Sequence, residues 1–204
     1  KLPKKQLRKT INGNRIAMVF QDPMTSLDPT MQIGKQIMEG MILYRGMSKA
    51  DAWKRSVELL ELVGVTDAEK RMKNYLHQLS GGMRQRAALI RTMAIHPDLL
   101  LLDEPFSALD SQTRLNVSAD IAQIIRQTDK TAVLITHDLS EAITLADRVL
   151  VLSKRPAIIK CEMPIHYEID RHDPMAIRNT PEYQQYFNHL WEVLTNEQSV
   201  IHAT

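Results

Sequence analysis

Residues 79–110, LSGGMRQRAALIRTMAIHPDLLLLDEPFSALD, constrain this chain more than any other stretch. Ser80 and two glycines open a helix, and His96-Pro97 ends it. Four apolar residues, 99–102, then run into Asp103, Glu104 and Pro105. That run is too short for a helix and apolar at every position. It predicts a strand of a parallel sheet, buried on both faces. Ligands of such sheets bind beyond the carboxyl ends of the strands. The two carboxylates stand at that end.

The rest of the chain repeats the alternation. Residues 16–20 (IAMVF) and 131–136 (TAVLIT) read as buried strands, and Arg148–Leu152 as a further strand. Ser111–Gln127 and residues 139–146 read as helices between them. Strand and helix in turn predict an α/β fold with a parallel sheet. Residues 31–43 and 48–63 are helical by pattern, with no strand between them, and form a separate helical lobe. Ser48 is the N-cap of the second, Trp53, Val57, Leu60 and Val63 share its apolar face, and Gly64 stops it. Residues 160–173 are mixed and polar. Residues 181–194 form a closing amphipathic helix with Tyr183, Phe187, Leu190 and Leu194 on one face.

Composition narrows the class. The 204 residues carry a formal charge of +2, far from the strong basic field of a nucleic-acid-binding domain, so no nucleic-acid partner is expected. Cys161 is the only cysteine, which excludes an internal disulfide and a thiolate metal cluster and fits a cytosolic setting. No apolar run reaches the roughly 18 residues that span a bilayer. The basic start, KLPKKQLRK, has no apolar stretch behind it and does not read as a signal peptide.

Each candidate residue has a chemistry and a plainer reading. Asp103 can hold Mg²⁺, and Glu104 can orient and deprotonate a water. Taken alone, the pair is also an acidic turn. Ser80, Gly81 and Gly82 put free amides and a partial positive charge where a phosphate can approach. Taken alone, they are a capped helix start. Gln21, after the first strand, can bond a metal-bound water or be a polar loop residue. His137, after TAVLIT, can meet a γ-phosphate or the attacking water, or simply pack at a strand end. Asp110 can cap the next helix or reach a neighbouring subunit.

In conjunction these motifs resemble one family. Gln21, LSGGMRQR, LLLLDEP, SALD and His137 follow in the order of the Q-loop, signature, Walker B strand, D-loop and switch histidine of ABC transporter ATP-binding subunits. The resemblance covers residues 16 to about 156. It implies an α/β P-loop NTPase core with an α-helical subdomain. It also implies ATP and Mg²⁺ as cofactors and a head-to-tail dimer with a second ATPase subunit. The other implied partners are transmembrane permease subunits and, indirectly, a solute-binding protein, with the chain peripheral at the cytoplasmic face of the membrane. Glu104 would be the general base, and Asp103 would serve Mg²⁺, with Gln21 linking the metal site to the lobe. His137 would steady the transition state. Ser80, Gly81 and Gly82, with Asp110, would serve nucleotide largely in trans.

The chain departs from that family in one respect. Its glycines stand at 13, 34, 40, 46, 64, 81 and 82, and no G-x-x-x-x-G-K-[ST] phosphate loop occurs. The fold expected is therefore an incomplete P-loop NTPase, truncated before the Q-loop and inactive alone. Its expected parts are residues 1–30 as a core remnant, 31–78 as helical subdomain, 79–158 as ATPase core and 159–204 as a C-terminal extension. The stretch QDPMTSLDPTMQIGKQI through HQLSGGMRQR resembles oligopeptide and dipeptide importers. From Ala87 onward the chain, including PEYQQYFNHLWEVL, resembles nitrate, sulfonate and taurine importers. Two rivals stand beside the importer reading: a soluble ABC-type ATPase outside transport, and a non-catalytic interaction fragment.

Overall fold

The computed structural model describes residues 11, 14–20, 27–107, 109, 111–127, 130–169, 171 and 173–196. It divides into two compact units, Lys1–Ile135 and Thr136–Thr204.

The first unit holds a parallel three-stranded sheet, β1 (Ile16–Val19), β2 (Leu99–Asp103) and β3 (Thr131–Ile135), with β2 in the centre. Leu102 lies opposite Val19 on one side and Leu134 on the other, and Asp103 lies opposite Ile135. The expected burial on both faces is not found. In β2 only Leu100 and Leu102 are buried, and Leu99 and Leu101 are half-covered. No residue of β3 is buried; Val133 is 44% and Ile135 53% exposed. A strand of a parallel sheet loses its side chains to the interior only when layers cover both faces and strands flank both edges. Among the described strands, β3 has a neighbour on one edge alone.

Helices α1 (Ile33–Arg45), α2 (Lys49–Leu62) and α4 (Gly81–Met93) pack together, with the one-turn α3 (Ala68–Arg71) against α2. Ile33, Ile37, Met41, Leu60, Leu89 and Ile90 are fully buried in this unit; each contributes roughly 1.5–3 kcal/mol on leaving water. Ser48 caps α2 by accepting from the Asp51 amide, 3.1 Å away, as its sequence predicts. Gly64 ends it at φ 69°, a left-handed conformation costly for other residues. The buried face of α2 is rotated from the expected one: Ala52, Ser56, Leu59 and Leu60 point inward, while Trp53 and Val57 are only half-covered. α4 meets both the helical group and β1, and α5 (Ser111–Gln127) packs on it.

The second unit corrects the sequence reading. Arg148–Leu152 (β4) does not extend a parallel sheet among the described strands. It pairs antiparallel with β5 (Ile159–Pro164), a strand the polar texture concealed. The inner face of this ribbon, Val149, Val151 and Cys161, joins a core with Ile143 of α6 (Leu139–Leu145) and Ile177 of α7 (Pro174–Arg178). α8 (Pro181–Thr195) closes that core with Tyr183, Leu190 and Val193. Leu194 faces outward, 47% exposed, because Val193 takes the inward position. Lys160 is buried, and its Nζ donates to the Val193 and Asn196 carbonyls at 2.5 and 2.6 Å, closing the end of α8.

Candidate functional site

Asp103 ends β2, and the chain turns sharply at Glu104. Glu104 adopts φ 43°, a region a β-carbon disfavours. Three contacts hold it there. Its amide donates to the Ile135 carbonyl at 2.8 Å, and its carbonyl accepts from the Ser107 amide at 3.2 Å and the Ser107 hydroxyl at 3.0 Å. Phe106, two residues after Glu104, is fully buried and fixes the chain leaving the turn. Both carboxylate residues remain half-exposed at the C-terminal end of the sheet. One turn therefore presents two adjacent carboxylates, one directly on the strand and one swung off it.

Ser80 caps α4, its Oγ accepting from the Met83 amide at 3.3 Å. Ser80 and Gly81 are exposed, Gly82 is half-exposed, and a β-carbon added at Gly81 would meet nothing within 4 Å. An anion can thus approach the amides of this 13-residue helix closely. Two arginines of the same motif brace it, a role the sequence reading did not assign. Arg84 donates from Nε to the Leu76 and Leu79 carbonyls at 3.0 and 2.9 Å. Arg86 donates to the Val63 carbonyl at 2.5 Å and to Asp120 at 3.1 Å, tying α4 to the end of α2 and to α5. Desolvation, outweighing Arg86, holds the Asp120 carboxyl above its usual range. Two arginines close together in the motif were the only signal for this bracing.

His137 belongs to the second unit and is exposed. A ring of hydrogen bonds frames it. Thr136 Oγ1 donates to Glu141 at 2.7 Å and accepts from the Asp138 amide at 3.0 Å, and Asp138 caps α6 by accepting from the Ser140 and Glu141 amides at 2.8 and 3.3 Å. Tyr183 Oη donates to Ser140 Oγ at 2.9 Å. Gln21 and Asp110, the remaining candidates, lie outside the described residues. The structure thus joins Asp103 and Glu104 in one turn, and Ser80 with Gly81 and Gly82 on one helix start.

Comparison with known proteins gives the family of the chain. Residues 2–107 match the family model for ABC transporter. The dipeptide transport ATP-binding protein DppD of Lactococcus lactis is 48% identical over 143 residues, 70% of this chain and 41% of that protein. The oligopeptide transport ATP-binding protein OppD of Salmonella typhimurium is 42% identical over 151 residues, 74% of this chain and 45% of that protein. The chain thus spans less than half the length of these relatives. Among solved structures, a dimeric ATP-binding cassette, MJ0796, in a post-hydrolysis state bound to ADP and Pi superposes with a TM-score of 0.68 at 28% identity. The match covers 82% of this chain and 69% of the cassette. Family match, relatives and fold agree: this chain belongs to the ABC transporter family, as part of an ATP-binding domain of the ABC ATPase type.

Proposed function

We propose that this chain is the ATP-hydrolysing part of an importer subunit that powers solute uptake through a membrane permease. The observation that carries the reading is the Asp103-Glu104 turn. A left-handed Glu104, fixed by backbone hydrogen bonds and a buried Phe106, is costly to build. It sets a carboxylate clear of the strand end, where a water can be held and deprotonated. Asp103 offers carboxylate oxygen, the donor Mg²⁺ prefers. Among the described residues no group of three or more His, Cys, Asp or Glu could hold a metal ion by themselves. That suits Mg²⁺, which keeps several waters and takes only one or two carboxylates beside nucleotide phosphates. When bound, it would neutralise charge on the transferring phosphoryl group.

Ser80, Gly81 and Gly82 serve the γ-phosphate of an ATP held by a second ATPase subunit packed head to tail, and Asp110 serves nucleotide in trans with them. His137, framed by Thr136 and Asp138, steadies the transition state of hydrolysis, and Gln21 links the metal to the helical lobe. The lobe docks the permease, so the chain sits peripherally at the cytoplasmic face of the membrane; no described helix is long and apolar enough to cross it. The names of the relatives favour peptides, delivered by a solute-binding protein, as the imported solute. The motifs from Ala87 onward support nitrate, sulfonate or taurine as a second reading.

These 204 residues contain no phosphate loop, so by themselves they are expected to hydrolyse almost no ATP. Hydrolysis should appear when a polypeptide bearing that loop completes the cassette with its permease, and Glu104→Gln should abolish it. Steady turnover by the 204 residues alone, or turnover in the assembly that survives Glu104→Gln, would refute the proposal.

A further inference from the structure

The turn that leads into α4 carries a feature the phosphate chemistry does not use. Residues 76–78 (Leu76–Gln78) form a single 3₁₀ turn. Leu76 and Leu79 point down and are 1% and 5% exposed, while Tyr75, His77, Gln78 and Ser80 are open to solvent. On the open side the Tyr75 and His77 rings lie parallel, centroids 5.9 Å apart and planes 11° apart. The turn beneath them is fastened. The Tyr75 amide donates to Gln78 Oε1 at 2.8 Å, and Arg84 on α4 holds the Leu76 and Leu79 carbonyls. Two exposed aromatic rings on a rigid turn are a ready stacking surface. Little ordering entropy remains to be lost on binding.

His77 precedes Ser80 by three residues, so their Cα atoms lie no more than about 11 Å apart at 3.8 Å per step, and the two open rings stand next along the chain to the exposed start of α4. We propose that Tyr75 and His77 form a platform for the base of the nucleotide whose γ-phosphate meets Ser80, Gly81 and Gly82. The proposal rests on the reading of those three residues as a phosphate site in trans. It adds a base contact from the signature-bearing subunit, so that affinity for the base is shared across the dimer.

The test uses the complete transporter with both ATPase subunits. Base stacking on an aromatic side chain contributes about 1–3 kcal/mol by alanine substitution. Tyr75→Ala with His77→Ala should therefore raise the KM for ATP roughly tenfold with kcat little changed, and Tyr75→Phe should restore the wild-type KM. Inhibition by inorganic tripolyphosphate, which has no base, should be the same in wild type and double variant. An unchanged KM for ATP, or equal weakening of ATP and tripolyphosphate, would overturn the platform while leaving the phosphate site standing. Ser80→Arg separates the two ideas: if it leaves hydrolysis intact, the phosphate site in trans fails and the platform falls with it.

Discussion

Glu104 follows β2 and His137 follows β3 within two residues of regular strand, yet the two turns are held by different means. The Glu104 turn places a side chain by backbone distortion: φ 43°, an amide bonded to Ile135, and Phe106 buried just after it. The His137 turn distorts nothing of that kind among its described neighbours. It relies on side-chain hydrogen bonds, with Thr136 and Asp138 closing on the start of α6. Strain resists redesign because any relaxed backbone moves the carboxylate. A capped turn is cheaper but depends on particular hydroxyl and carboxyl groups. The Glu104 carboxylate is aimed by strain, and the exposed His137 is supported by caps.

The comparison can be broken at several points. Glu104→Gln keeps the turn and removes the proposed base, so turnover by the assembled transporter should fall by roughly 10²–10⁴. Nucleotide binding and the urea midpoint should not move; an altered midpoint would mean that the carboxylate also holds the fold. Phe106→Ala should remove the anchor and cost about 3–5 kcal/mol in urea unfolding. A loss below ~1 kcal/mol would show that the hydrogen bonds alone keep the turn.

Two substitutions then oppose strain to capping directly. Glu104→Gly should gain about 1 kcal/mol in stability. Relief of a strained backbone is worth about 1–3 kcal/mol, less roughly 0.5–1 kcal/mol for the entropy of glycine. Asp138→Ala should lose about 1 kcal/mol, the usual value of an N-cap. Chemical denaturation of both variants decides the matter; if Glu104→Gly destabilises, the turn is not strained in the sense argued.

The smallest effect concerns His96, at φ 52° between α4 and β2. Burial against its neighbours lowers its pKa from 6.5, and Arg55, Arg45 and Lys130 add to the shift. The unfolded chain therefore binds the proton more readily than the folded one. Stability should be fully present above pH 6.5 and decline as pH falls through 6.5 toward the depressed value. His96→Asn, which tolerates the left-handed backbone, should flatten that slope. The effect is small because the residue remains partly open to solvent. An unchanged pH profile in urea melts would remove His96 from the account.

Particular residues show how far the sequence was legible. Ser48 and Ser80 announced their helices because an N-cap is a local event, decided by one side chain and the amides just after it. Gly64 announced a stop for the same reason. Tyr183 and Leu190 were readable from helical spacing, but the same spacing placed Leu194 inward where the structure buries Val193. By helical spacing Leu194 falls within the stripe and Val193 at its edge, and only the packed core of the second unit turns the helix to bury Val193. β5 was missed although IKCEM alternates apolar and polar at the period of a strand, because a run this short gains its meaning only from its non-local pairing with β4. The burial of β3 was misread because a run such as TAVLI does not say how many of its sides are covered.

The motifs themselves came from sequence alone: SGG before a helix, DE after a leucine strand and a histidine after another strand each depend on identity and order. Tertiary structure decided what those residues do with their backbones. The left-handed conformation of Glu104, the fastening of the Tyr75–His77 turn by Arg84 and the bridge from Arg86 to Val63 and Asp120 all join residues distant along the chain or override local preference. A sequence fixes capping and periodicity because their partners lie within a few residues. Strain and long-range hydrogen bonds exist only once packing brings separate segments together and supplies the free energy to hold them.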